Sequence, residues 1–172
     1  CYLNNYDLVT FSDVEKAMHA YQQDRCDAMT MQRAALAARS AAMHTREEHM
    51  ILTEMISKEP QGGLVRQDDP KWRDIAFWSF NVRIAAEELG INQSNVGQQL
   101  SNTDSAETQR LLGNYGDFGK SLGLSNKWAY DIIRLVGNYD DVWKRNLTPV
   151  GLQRRTNALW QDGGVMIALP FR

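Results

Sequence analysis

Pro60 separates two kinds of residue pattern, and that break limits the folds open to this chain more than any other feature. Upstream, short apolar runs alternate with helix-period stripes. Residues 8–11 (Leu-Val-Thr-Phe) read as a strand. Ser12 then caps a helix, with Glu15 three positions on to complete a capping box. Val14, Ala17, Met18 and Tyr21 fall on one helical stripe. Residues 26–30 form a second strand candidate, and residues 33–43 are Ala-rich and helix-favouring. Residues 49–54, with Met50, Ile51 and Leu52, form a third strand candidate. Strand, helix, strand, helix, strand at this spacing predicts parallel strands with crossover helices, an α/β layer.

Downstream of Pro60 the pattern becomes helical. Gln61-Gly62-Gly63 reads as a hinge leading into a short strand at Leu64-Val65-Arg66. Asp69-Pro70 is an N-cap and N1 pair opening a long helix that Gly90 stops. Trp72, Ile75, Ala76, Ser79, Val82, Ala86 and Leu89 trace its expected buried face. Further helices are predicted over residues 105–112, from a Ser125 cap to Gly137, over 140–144, and over 152–160. The tail from Gly163 is too apolar for a free end and is expected to pack on the body.

Composition narrows the function classes. The chain carries 19 basic and 21 acidic side chains, for a formal charge of −2. A nucleic-acid binder usually shows a basic excess or a clustered basic patch, and neither is present. No window approaches the roughly 18 consecutive apolar residues of a membrane helix, so direct membrane insertion is not expected. The chain opens on Cys1 with neither an initiator Met nor a signal-peptide pattern, the mark of a processed, cut or incomplete end. A lipoprotein also begins with Cys, but continues through a polar tether rather than straight into an apolar strand. Two cysteines, Cys1 and Cys26, are too few for a disulfide scaffold.

Catalytic and metal signatures are weak, and no enzyme or cofactor is expected. His44 and His49 lie five apart, about 500° around a helix, whereas a helix-borne zinc pair needs i and i+4. There is no Gly-x-Ser-x-Gly turn, no Gly-x-Gly-x-x-Gly and no phosphate loop. The alternative reading is a helix-turn-helix, or another helical interaction module, centred on residues 83–100. There Gly90 would make the turn and residues 92–99 would face base edges. From Glu87 to Gln109, however, there is no Lys, Arg or His. Phosphate neutralisation supplies much of the affinity in such complexes, so DNA binding is disfavoured.

One further set of segments points elsewhere. The run Ile56-Ser57-Lys58-Glu59-Pro60-Gln61-Gly62-Gly63-Leu64-Val65-Arg66 resembles the second crossing of bacterial periplasmic amino-acid-binding proteins. The likeness continues through Ala85-Ala86-Glu87-Glu88-Leu89-Gly90-Ile91, Arg110-Leu111-Leu112-Gly113, Val136-Gly137-Asn138-Tyr139 and Pro170-Phe171-Arg172. Upstream, Arg25-Cys26-Asp27 fits as well. The whole is similar to the C-terminal portion of the general L-amino-acid-binding subgroup of ABC importers, within solute-binding protein family 3.

The resemblance implies a periplasmic-binding-protein-like (type II) clamshell, here incomplete. Residues 1–58 would be part of the second α/β lobe, 59–63 a hinge crossing, and 64–172 the C-terminal, mostly helical share of the first lobe with its extension. It implies capture of free L-amino acids in the periplasm and delivery to permease subunits of the inner membrane. The family's N-terminal half, with the Arg that takes the ligand carboxylate, has no counterpart here. In the family a Cys-Asp-x-x-Thr-Thr-Asp run ends on the Asp that holds the ligand ammonium. This chain reads Cys26-Asp27-Ala28-Met29-Thr30-Met31-Gln32. The resemblance therefore places Thr30, Met31 and Gln32 at the ligand, with Gln32 in the Asp position and Met31 in that of the second Thr. It also implies a partner for Cys26 lying before residue 1.

Overall fold

The structure is a computed structural model that describes residues 6–171. The chain divides into two compact units, Cys1–Ile56 and Ser57–Arg172.

The first unit is built on two helices, α1 (Val14–Gln22) and α2 (Arg33–Ala41). Asp13, rather than Ser12, caps α1: its carboxylate accepts from the Lys16 amide at 2.9 Å. The Asp13 carboxylate, one position on, reaches the orphan first-turn donor, and the expected Ser12–Glu15 box does not form. Met18, Ala20 and Ala37 are buried, and Arg39 on α2 reaches Glu15 on α1 at 2.8 Å. The three strands expected here are absent as strands. Residues 8–11, 26–30 and 49–54 belong to no β-ladder among the described residues. A strand exists only where a neighbour takes up its N–H and C=O groups. None does so here, and Leu8, Val9, Met50 and Leu52 stand exposed. The short strand expected at residues 64–66 is likewise missing, with Leu64 fully exposed. The α/β layer predicted from the alternation is thus present only as its helices.

The second unit packs around α3 (Pro70–Glu88), on which α5 (Ala106–Leu111), α6 (Phe118–Leu122), α7 (Trp128–Val136) and α8 (Tyr139–Asn146) rest. α4 (Val96–Asn102) leans on α5 and α7. Asp69 caps α3 by accepting from the Trp72 amide, and Gly90 takes the left-handed conformation (φ +67°) that ends it. The core joins Val82, Ala86, Ile91, Val96, Leu112, Leu122, Trp128 and Ile133 from successive elements. Ile75 and Leu89 pack at its edge as expected, but Trp72 is 55% exposed. It lies in the first turn of α3. Asn138 caps α8 in a full capping box with Asp141.

Two further departures concern the C-terminal stretch. The helix expected over 152–160 is replaced by short 3-10 turns at Arg155–Asn157 and Trp160–Asp162. Arg155 takes a positive φ (+47°), and Leu159 instead bridges Met166, which draws the chain into an extended return. The tail does pack: Ala168 and Phe171 lie against the core, and Phe171 meets the rings of Trp78 and Phe118. The side-chain amide of buried Asn81 holds the Leu169 backbone at both ends, accepting from its N–H at 2.8 Å and donating to its C=O at 3.1 Å.

Candidate functional site

Thr30, Met31 and Gln32 lie consecutively on the loop that enters α2, Thr30 exposed and the other two half-buried. Gln32 is the N-cap residue of α2, with φ −53° and ψ 132°. Its side chain makes no capping bond, which leaves the first-turn amides of α2 without the partner an Asp would supply. Those amides carry the positive end of the helix dipole. The local geometry therefore offers an amide oxygen on Gln32 and a hydroxyl on Thr30 beside a field that attracts negative charge. Met31 adds an apolar, adaptable side chain. In the same unit an open depression of about 430 Å³ is lined by Phe11, Glu15, Lys16, His19, Ala20 and Arg25, and does not include Gln32.

The other motifs are drawn into internal bonding. His49 presents Nδ1 to the Tyr21 hydroxyl at 2.8 Å and Nε2 to the Thr45 hydroxyl at 3.0 Å, so both ring nitrogens are engaged. Among the described residues no three His, Cys, Asp or Glu side chains group in a way that would hold a metal ion. Cys26 is half-buried and forms no disulfide among the described residues; Cys1 lies outside them.

The α3–turn–α4 pair exists, but its polar residues are consumed by the turn. Asn92 Oδ1 accepts from the Ser94 and Asn95 amides, and Asn95 Nδ2 donates to the Gly90 carbonyl. The Gln93 amide donates to Asp141 at 2.9 Å, while its side chain caps the end of α7 through the Arg134 and Leu135 carbonyls. Asn92, Gln93 and Asn95, three of the residues that would face base edges, are thus spent on holding three helices together.

Sequence reasoning missed a charged cluster in the second unit. Arg154 pairs with Glu87 of α3 and lies 3.4 Å from Asp140 of α8. Its guanidinium also sits 5.0 Å from the centre of the Tyr139 ring and donates twice to the Asn157 carbonyl. The Glu87 and Arg154 side chains are only 12% and 16% exposed. Burial raises the Glu87 carboxyl above its ordinary value, against the opposing pull of Arg154. Burial likewise raises the Tyr139 hydroxyl. The pair spans 67 residues, a separation at which no local spacing announces a contact. Its geometry is that of a clamp fastening the chain after α8 onto α3. Near the other end of that chain, a cleft of about 220 Å³ lies among Glu88, Glu107, Trp160 and Pro170.

Comparison with known proteins gives the arrangement its context. No family model matches the chain. It is 40% identical over 172 residues to the general L-amino acid-binding periplasmic protein AapJ of Rhizobium johnstonii, covering 97% of this chain and 50% of that protein. It is 40% identical over 170 residues to the glutamate/glutamine/aspartate/asparagine-binding protein BztA of Rhodobacter capsulatus, with the same coverage. Among solved structures, an ABC transporter periplasmic binding protein from Brucella ovis with glutathione bound superposes with a TM-score of 0.88 at 40% identity. That superposition covers 95% of this chain and 52% of the other. The chain spans about half the length of the relatives it matches.

Proposed function

Since the chain is homologous along 97% of its length to periplasmic binding proteins of amino-acid ABC transporters, we propose that it supplies one half of the substrate-binding component of such an importer. The ligand is a free L-amino acid in the periplasm, and the recipient is the permease of the inner membrane. The observation that carries this reading is the 40% identity held over nearly the whole chain, joined to a TM-score of 0.88. On this reading residues 1–58 belong to one lobe, 59–63 to a crossing and 64–172 to the other lobe. The role is capture and delivery, without chemical change to the ligand.

The ligand contacts follow from the loop before α2. Gln32 Oε1 accepts from the ligand ammonium, the Thr30 hydroxyl assists, and Met31 lies against the aliphatic part. A neutral amide at this position is weaker than a carboxylate. It brings no charge to the ammonium, and it leaves the positive end of the α2 dipole uncompensated beside that ammonium. Charged hydrogen bonds exceed neutral ones by about 1–2 kcal/mol, equivalent to roughly 5–30-fold in affinity.

Calorimetry tests this directly. Titrated with L-amino acids by itself, the chain is expected to show no binding, since half of the cleft lies in sequence that it does not match. Paired with that half, it is expected to bind, and Gln32→Asp to bind about 5–30-fold more tightly. Micromolar affinity in the isolated chain would displace the site from where we put it. Unchanged affinity in Gln32→Asp would remove Gln32 from the ammonium.

A further inference from the structure

We propose that the C-terminal return and the cleft beside it dock a basic, apolar-flanked peptide segment of another protein. One Lys or Arg side chain of that segment enters the cleft, and its apolar neighbours lie on Trp160, Ile167 and Leu169. The inference is independent of the ligand loop and of the transport reading, since every residue it uses belongs to the second unit.

Apolar exposure is the first observation. Along the return, Met166 and Ala168 are half-buried, while Val165, Ile167 and Leu169 are 67%, 59% and 47% exposed. Alternate residues of extended chain share a face, so these three present one apolar row. Trp160, whose backbone N–H donates to the Met166 carbonyl at 2.9 Å, adds an indole that is 57% exposed. The core of the second unit closes without Val165, Ile167 or Leu169. An uncovered apolar row joined to an aromatic ring, on a unit that already has its core, marks an interaction surface.

Charge identifies what covers it. The cleft of about 220 Å³ is smaller than the roughly 300–1,000 Å³ that hold a whole small molecule, and it suits a single side chain. Leu89 of α3, Leu111 of α5 and Pro170 of the tail give it apolar walls, on which the Glu88 and Glu107 carboxylates open. Glu88 Oε1 accepts from the Ala168 amide at 3.0 Å, which fixes the side chain. Its Oε2 and both oxygens of Glu107 have no partner among the described residues. No lining residue is Lys, Arg or His, and the stretches Glu87–Gln109 and Trp160–Phe171 contain none either. Arg110, three positions after Glu107, is turned over the Tyr115 ring. Such a cleft takes a cation on an aliphatic stem, whose carbons lie on the walls while the charge meets the carboxylates. The exposed Trp160 ring offers that cation a further contact. The same carboxylates repel an anionic lipid surface, and a second copy pairing through this face would set them against their like. A basic segment of a different protein meets both the charge and the apolar row.

Panning a random heptapeptide library on the immobilised full chain tests the assignment. Enrichment of Lys or Arg with apolar neighbours is expected. The tightest selected peptide, made synthetically, should move the amide resonances of Glu88, Glu107, Trp160 and Ile167 and leave those of α1 and α2 in place. Glu88→Gln, which keeps Oε1 for the Ala168 amide, and Glu107→Gln should each weaken it about fivefold, the loss of one ion pair near the surface. Glu48→Gln, in the first unit, should leave its affinity unchanged. With norleucine in place of the peptide's basic residue, the two cleft substitutions should no longer matter. The proposal is overturned if the library yields no such sequence, if the shifts fall elsewhere, or if the norleucine peptide binds as tightly as its parent. It is equally overturned if affinity rises in Arg172→Ala, which would make the chain's own last residue the occupant. Sedimentation showing self-association of the chain alone that Ile167→Asp abolishes, or phosphatidylcholine vesicles moving the same resonances, would also overturn it by putting a second copy or a bilayer on this face.

Discussion

Replacing Arg154 with Met isolates the energetics of the clamp between α3 and the chain after α8. In the native unit the guanidinium neutralises Glu87, whose side chain is 12% exposed, and approaches Asp140, which is 28% exposed. Methionine fills much of the same volume and can still lie on the Tyr139 ring, so the change removes charge and donors more than packing. Glu87 is then a buried carboxylate without its cation, and its Oε2 already has no hydrogen-bond partner. Breaking a buried pair by deleting one member costs about 3–5 kcal/mol. Asp140 keeps Lys144 at 2.6 Å, and Glu87 can relieve its charge by taking up a proton, so the lower end, about 3 kcal/mol, is expected at neutral pH. All five tryptophans lie in the second unit, which makes urea unfolding followed by tryptophan fluorescence a readout of that unit. Arg154→Met/Glu87→Gln should recover most of the loss, because no charge is left stranded. The sign with pH is a stricter test. The folded-state pKa of Glu87 is raised above its ordinary 4.5. Its proton-linked stability is therefore fully present below that value and is lost as pH rises through the folded value. Removing Arg154 takes away an opposing influence and raises the folded value further. The deficit of Arg154→Met against wild type should accordingly shrink on acidification from pH 7 towards 5. A loss under about 1 kcal/mol at pH 7, or a deficit that widens on acidification, would refute the buried clamp.

Two other perturbations probe how the second unit is closed. Gly113 has φ +74°, and a Cβ there would meet the Asn126 carbonyl oxygen at 1.8 Å; Gly113→Ala should lower stability in the same urea assay by about 2 kcal/mol or more, since left-handed strain alone is worth roughly 1–2 kcal/mol. Asn81→Leu removes both bonds to the Leu169 backbone, and because Leu169 is itself partly solvent-exposed the loss is expected at about 1 kcal/mol. Exchange of the Leu169 amide should then accelerate at least tenfold while the α7 amides change little, and equal acceleration of both would mean that Asn81 serves the whole core instead.

The helical half of the fold was legible because its signals are local. Asp69-Pro70 and Gly90 bound α3, Ser105 caps α5, and Gly137 follows α7, each through chemistry within a few residues. Where a cap had a near competitor the reading slipped by one, as at Ser12 against Asp13. The failures in this half come from long-range bonds. Residues 152–160 have a helical composition, but Leu159 bridging Met166 and Arg154 reaching Glu87 pull that stretch out of helix. Asn81, which lay outside the face read as buried, is itself buried because its amide stands in for a neighbouring strand along the tail.

The α/β half failed for a different reason, and the reason bears on the site. Alternation and β-branched content say that residues 8–11 and 49–54 suit a strand, but a strand is a relation between two segments and has no stability of its own. A helix closes its hydrogen bonds within itself, so α1 and α2 form on their own sequence, whereas the extended segments beside them wait on a partner backbone. The loop that enters α2 lies between these two behaviours. Gln32 is held from one side by α2, which closes its own bonds, and continues on the other into residues 26–30, which pair with nothing among the described residues. A preorganised site holds its groups to within about half an ångström, and secondary structure secures this loop on the Gln32 side alone. On the proposed reading, a partner backbone along residues 26–30 would therefore raise ligand affinity by fixing the loop that bears Gln32.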